Sequence, residues 1–212
     1  RRYFLKGLGI MIVIIDYGLG NLRSIQQKLE SNKIDVVVSS KPDVIKSADK
    51  LILSGVGHFK KGMENLQSFG LVEILNEKVL FEKIPIFGIC LGMHLFAKHS
   101  EEGNYEGLGW INGKVKKFNF ENTTELKIPH VGWNAIHVIK QDSILQNINN
   151  KQFFYFTHSY HLNCDNDMIL TKTNYGYEFP SLIKKDNIIG SQFHPEKSHR
   201  QGFQLLMDFC MA

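Results

Sequence analysis

"FGICLGMHL", residues 87–95, sets a cysteine between two glycines. The apolar run before it, Ile84–Ile89, has the length and β-branched content of a buried strand, and Leu91–Lys98 after it reads as a helix. Strand, tight turn and helix make one half of a βα unit, so this stretch sets the architecture and offers a nucleophile at once. Working outward, Ile12–Ile15, Val36–Val38 and Leu51–Leu53 are further apolar strands. Helical spacing lies between them at Leu22, Ile25 and Leu29, over Met63–Leu66 and over Leu71–Leu80. Strands alternating with helices predict a parallel sheet covered on both faces. Ligands collect at the carboxyl ends of such strands, where three glycine-rich turns fall: Gly18–Gly20, Gly55–Gly57 and Gly88–Gly92.

The pattern changes after about residue 105. "GWINGKVKKFNF" (109–120), "IPHVGWNAIHVIK" (128–140), "KQFFYFTHSYHL" (151–162), "MILTKTNYG" (168–176), "FPSLIKK" (179–185) and "NIIGSQFHPE" (187–196) read as shorter strands between turns, and Gln201–Met211 as a closing amphipathic helix. No repeat, low-complexity tract or linker interrupts the chain, so residues 11–212 are expected to pack as one domain. "RRYFLKGLGI", residues 1–10, is too short in apolar length for a signal peptide and has no small-residue cleavage site. It reads as an upstream extension, natural or cloning-derived.

Composition narrows the function. With 212 residues, 43% hydrophobic and 22% charged, the chain can bury a sizeable core without staples. Net charge is +4, but the basic residues are spread out, and the densest groups, Lys114–Lys117 and Lys184–Lys185, are short. A solvated face explains them, which argues against nucleic acid and leaves room for an anionic partner or a phosphorylated metabolite. Cys90, Cys164 and Cys210 are far apart with no CxxC, which argues against disulfides or zinc and for a reducing cytoplasm. No apolar run approaches the ~18 residues of a membrane span.

Flanking glycines would let strand and helix close around a strained turn that lifts Cys90 out of the sheet. The turn also puts it at a helix N-terminus, which favours a thiolate, with the Leu91 N–H where an oxyanion would form. Taken alone, the motif reads equally as a structural cysteine with packing glycines. A thiol nucleophile needs a base, and "QFHPE" offers His194 and Glu196 two apart around Pro195. In an extended segment such residues face the same way, so Glu196 can hold one ring nitrogen while the other faces the thiol.

"GICLGM" with a distant "QFHPE" resembles the class I (triad) glutamine amidotransferase family. The resemblance runs from Met11 to the C-terminus. It implies a flavodoxin-like α/β fold with a mostly parallel sheet, helices on its faces and extra antiparallel strands. It also implies Cys90 as nucleophile, His194 as base and acid, Glu196 as orienting carboxylate, and neither metal nor cofactor. The reaction implied is hydrolysis of glutamine to glutamate and ammonia. "IIDYGLGNLRS", "GVGHFKKGMENL", "IPHVGWN" and "FYFTHSYHL" are similar to the branch that channels ammonia to a (β/α)8-barrel synthase making imidazole glycerol phosphate. On that resemblance the Val56 and Leu91 amides form the oxyanion hole. Gly55 and Gly57 give the Val56 peptide freedom, so a resting enzyme can keep the hole unformed. Gly55, Gly57, position 94, Glu102, His158, Ser159 and Tyr160 would line the glutamine pocket. Asn21, Trp133, Asn134, Tyr155 and Lys197 would face the partner in a heterodimer.

Two positions depart from the family. Glutamine is usual at position 94, where His94 stands; an imidazole cannot give the paired hydrogen bonds of an amide. Proline usually opens the oxyanion loop, where Ser54 stands, so a fixed φ is lost. "NYGYEFPSL" and "EKSHRQGF" also resemble a paralogous branch that supplies ammonia to a sugar amidotransferase in surface-polysaccharide pathways. A weakly active structural subunit of an ammonium-using synthase, or a related cysteine hydrolase acting on γ-glutamyl peptides, are the other readings.

Overall fold

The computed structural model describes residues 9–120 and 126–212. The reading of the extension falls mostly on residues 1–8 and so lies outside the described residues. The first half alternates: β1 (Ile12–Ile15), α1 (Leu22–Glu30), β2 (Val36–Ser39), α2 (Pro42–Lys46), β3 (Lys50–Gly55), α3 (Phe59–Ser68), α4 (Val72–Asn76), a π-helical turn (Glu77–Phe81), β4 (Ile86–Cys90) and α5 (Leu91–Leu95). The second half is β-rich: β5 (Ala97–Ser100), β6 (Tyr105–Glu106), β7 (Ile111–Lys117), β8 (His130–Ala135), β9 (His137–Val138), β10 (Phe153–His158), β11 (Tyr160–Cys164), β12 (Ile169–Tyr175), β13 (Tyr177–Lys185) and β14 (Ile188–Ser191). Helix α6 (His199–Met211) closes the chain.

The main sheet has the order β2-β1-β3-β4-β14-β13-β12-β9. It is parallel from β2 to β14 and antiparallel beyond. Continuous apolar strands arise because both faces are covered. On one face, Ile12, Ile14, Ile52, Phe87 and Ile89 pack with Ile25 and Leu29 of α1 and with Leu205, Leu206 and Phe209 of α6. On the other face, Val13, Ile15, Leu51, Leu53 and Ile86 pack with Phe59, Met63 and Leu66 of α3 and with Leu91 and Leu95 of α5. A four-stranded sheet, β11-β7-β5-β6, extends that second face, and β10 with β8 forms a separate ribbon. Among the described residues, no helix is long and apolar enough to cross a membrane.

One boundary needs correction. The helix after the cysteine ends at Leu95, not Lys98. Phe96 N already donates to Met93 O, and Ala97 pairs with Ile111 as β5 begins. Phe96 is drawn inward to stack on Trp110, with ring centroids 5.1 Å apart, and tertiary packing overrides the helical pattern.

Candidate active site

Cys90 ends β4 with φ 53° and ψ −108°, a backbone that a side chain adopts only under strain of roughly 1–3 kcal/mol. The surroundings enforce it. A Cβ on Gly88 would strike the Phe96 ring and come 2.8 Å from Met93 N, and one on Gly92 would overlap the Leu53 carbonyl. The two glycines therefore let the strand, the turn and α5 close on one another. Because α5 has only five residues, little macrodipole stands behind Cys90, and its electrostatic support comes from neighbouring side chains. The sulfur has two polar neighbours besides the histidine described next: the Thr157 carbonyl at 3.9 Å, an acceptor for S–H, and Gln192 Nε2 at 3.8 Å, a donor.

His194 follows β14 and is fully buried. Its Nδ1 lies 2.8 Å from Glu196 Oε1. The pairing is not made by an extended strand, as the i, i+2 reading supposed. His194 is itself extended, but Pro195–Lys197 is a short 3-10 turn that brings Glu196 back under the ring. Backbone ties fix the segment. His194 N donates to Tyr155 O, while the Ser198 hydroxyl donates to His194 O and accepts from Tyr155 N. Lys28 of α1 donates to the Glu196 carbonyl. Burial opposes charge on His194, but the adjacent Cys90 sulfur and the Glu196 carboxylate outweigh it and hold its pKa above the usual histidine range. Nε2 has no partner at hydrogen-bond distance among the described residues, though it is close enough to feel the sulfur's charge. The arrangement is a thiol with an imidazole able to take its proton and a carboxylate that orients the ring.

Val56, Gly57, Cys90, Leu91, His94, Glu102, Thr157, His158, Ser159 and Tyr160 surround a cavity of about 60 Å³. The structure thus brings together most of the residues expected to bind substrate. Gly55 pairs with Cys90 across β3 and β4, and Gly57 has φ +141°, so Val56 sits on a glycine-bounded loop beside the thiol. Glu102 is tethered: its Oε2 accepts from Phe59 N at the start of α3. His158 is held by its ring. Its Nδ1 donates to Tyr160 O, its Nε2 accepts from His130 Nδ1, and His130 Nε2 accepts from Asn134 Nδ2. Burial lowers the pKa of both histidines, so this chain of neutral rings stiffens the pocket wall.

On the face expected to meet a partner, Trp133 and Tyr155 pair across β8 and β10, and Lys197 Nζ lies 5.7 Å above the Tyr155 ring. Trp133 is 43% exposed and stacks on His199. Asn134 instead spends its amide on Asn174 O and His130, and Asn21 caps α1 by accepting from Ser24 N. Among the described residues, no group of His, Cys, Asp and Glu side chains could hold a metal.

Comparison with known proteins agrees with this geometry. The family described as Glutamine amidotransferase class-I matches residues 13–212. The chain belongs to that family. It is 48% identical over 200 residues to a Methanococcus maripaludis protein named imidazole glycerol phosphate synthase subunit HisH 2, covering 94% of this chain and 98% of that one. A Campylobacter jejuni protein named imidazole glycerol phosphate synthase subunit HisH 1 is 46% identical over 201 residues, covering 94% and 99%. Among solved structures, a glutamine amidotransferase superposes with a TM-score of 0.73 at 17% identity, covering 94% of this chain and 97% of that one. A glutamine amidotransferase from Thermotoga maritima gives 0.61 at 17%, covering 94% and 82%. These two likenesses concern the fold alone.

Sequence reading missed three residues of this amidotransferase site. Gln192 and Thr157 face the sulfur, and the Tyr17 hydroxyl occupies the place a Cβ on Gly55 would take. Gln192 belongs to "QFHPE" and Tyr17 to "DYGLGN", so the signal was present but had no periodicity to interpret it.

Proposed function

We propose that this chain is the glutaminase subunit of an imidazole glycerol phosphate synthase, acting in histidine biosynthesis in the cytoplasm. The observation that carries the chemistry is the strained Cys90 sharing one buried site with the His194–Glu196 pair. The Cys90 thiolate attacks the side-chain amide carbon of glutamine, and the Val56 and Leu91 amides receive the negative oxygen. His194 passes the thiol's proton to the departing nitrogen, which leaves as ammonia. A water then gives its proton to His194, attacks the thioester and releases glutamate. Gly55, Gly57, His94, Glu102, His158, Ser159 and Tyr160 form the binding wall. Ammonia passes to a (β/α)8-barrel cyclase docked on the face bearing Asn21, Trp133, Asn134, Tyr155 and Lys197. The names of the similar proteins support the choice of partner.

The test is glutamate release by the chain co-purified with its cyclase, with and without the cyclase's ribulosyl ligand. Release stimulated by that ligand and abolished in Cys90→Ala is expected. Release unchanged in Cys90→Ala would falsify the nucleophile assignment. Activation only by a sugar amidotransferase would move the chain to the polysaccharide branch.

A further inference from the structure

Gln192 is fully buried, and its side-chain amide is engaged at both ends. Oε1 lies 2.8 Å from His94 Nε2, while Nε2 lies 3.8 Å from the Cys90 sulfur. An imidazole nitrogen facing a carboxamide allows two arrangements. In one, His94 carries its proton on Nε2 and donates to Oε1, which turns the Gln192 NH2 group onto the sulfur. In the other, the amide is turned over. NH2 then donates to a bare His94 nitrogen, and the carbonyl oxygen faces the sulfur. The first offers a donor to a thiolate. The second confronts it with the negative end of a dipole.

We propose that His94 is a positioning residue that donates from Nε2 to Gln192 and so holds the amide with its NH2 group on the Cys90 sulfur, stabilising the thiolate. This rests on the reading of Cys90 as the nucleophile. The sulfur then has a partner for each of its states. The Thr157 carbonyl accepts from the neutral S–H, and Gln192 donates to the anion left when the proton moves to His194.

His94 suits this role. It is buried on α5, and burial depresses its pKa to about 4 despite the bond to Gln192, so at neutral pH one nitrogen alone carries a proton. A glutamine at position 94 has a donor and an acceptor on one rotatable amide and would leave Gln192 free to turn over. The other titratable groups bearing on the pair come from several elements. His194 after β14 and Tyr17 after β1 feel the charge of Cys90, and His158 of β10 and His161 of β11 bear on His94.

The test is the rate of alkylation of Cys90 by iodoacetamide in the full chain, followed by mass spectrometry from pH 5 to 10. His94→Phe keeps a ring without a donor, and Gln192→Leu removes the amide. Each is expected to move the pH–rate profile up by about one unit and to slow alkylation at neutral pH about tenfold. The double variant is expected to be no slower than Gln192→Leu alone, because His94 acts through Gln192. His94→Gln, which keeps a donor, should recover part of the rate. A His94→Phe effect that persists undiminished in the Gln192→Leu background overturns the proposal. Should the variants fail to fold, long-range proton–nitrogen NMR of the wild-type chain reads the tautomer directly. A proton on Nε2 supports the proposal, and a proton on Nδ1 overturns it. An unchanged alkylation profile in the His94 series, with glutamate release still abolished in Cys90→Ala, refutes the orientation alone. Release that survives Cys90→Ala refutes the nucleophile reading itself.

Discussion

Gly92→Ala tests whether contact between α5 and β3 holds the elbow in place. Gly92 lies in the helical backbone of α5, where alanine is favoured over glycine by about 1 kcal/mol, so no conformational penalty arises. The added Cβ would nevertheless overlap the Leu53 carbonyl oxygen, lie 2.7 Å from its carbon and lie 3.4 Å from Ser54 N. These are backbone atoms, so no rotamer change relieves the clash. Overpacking costs about 1–3 kcal/mol, and a backbone obstacle places this case at the upper end or beyond. Set against the gain in propensity, a net loss of about 2 kcal/mol lowers Tm by about 4–8 °C for a chain of this size.

The functional effect should exceed the thermal one. To clear the carbonyl, α5 must move from β3 by on the order of 1 Å, and such a misplacement costs about a hundredfold in rate. It would part Cys90 from the Gly55–Gly57 loop that continues β3. Gly70→Ala is the control. Gly70 has φ +65° and nothing within 4 Å of a Cβ, so alanine there adds only about 1–2 kcal/mol of backbone strain and leaves glutamate release unchanged. The assays are thermal unfolding by circular dichroism and glutamate release in the complex. A Gly92→Ala chain melting within about 2 °C of wild type, with full release, would refute the packing argument.

Tyr17→Phe should raise stability by about 1–3 kcal/mol, because the Tyr17 hydroxyl is buried with no hydrogen-bond partner among the described residues; a Tm that does not rise contradicts this. Lys50 is buried and donates to Phe209 O and Cys210 O at the end of α6. Lys50→Met keeps the stem and loses both bonds, so urea unfolding should show a loss of about 2 kcal/mol, and a loss of less than about 0.5 kcal/mol would mean that water replaces the amine. Glu196→Gln bears on pH dependence. The pKa of His194 is raised in the folded chain, so its contribution is complete below the unfolded value near 6.5 and fades as pH rises through the folded value. The stability gap between wild type and Glu196→Gln should therefore be widest at pH 6 and narrow by pH 9; a gap that is constant or grows with pH goes against the pairing.

The parallel half of the sheet was readable because burial on both faces demands continuous apolar runs such as Ile12–Ile15. Helix α2 was not anticipated, since "PDVIK" is five residues long with one buried side chain, Ile45. The α5–β5 boundary was misplaced for the opposite reason: Leu95, Phe96 and Ala97 are all buried, and an unbroken apolar run carries no period. His194 and Glu196 were legible as a pair because two chain positions separate them. Gln192 and Thr157 were not legible as neighbours of Cys90, because 102 and 67 positions separate them from it and only the fold closes that distance. His94 was expected to face substrate. It does line the cavity, but one of its nitrogens is committed to Gln192.

The pocket beside Cys90, about 60 Å³, is narrow and is lined by Val56, Gly57, Glu102, His158 and Tyr160. Its walls differ in how firmly they are held. Three walls are tied down: the elbow by Gly88 and Gly92, Glu102 by the Phe59 amide, and the Tyr160 backbone by His158 and the ring behind it. Even Gly55 is held, by its register with Cys90 and by the Tyr17 hydroxyl against its Cα. That leaves Val56, 47% exposed, and Gly57, whose φ of +141° suits glycine, as the part of the wall with most freedom. Val56 is also the residue whose amide we propose receives the oxyanion. On that proposal, a turn of this one peptide would aim the amide at the substrate without moving Cys90 or His194.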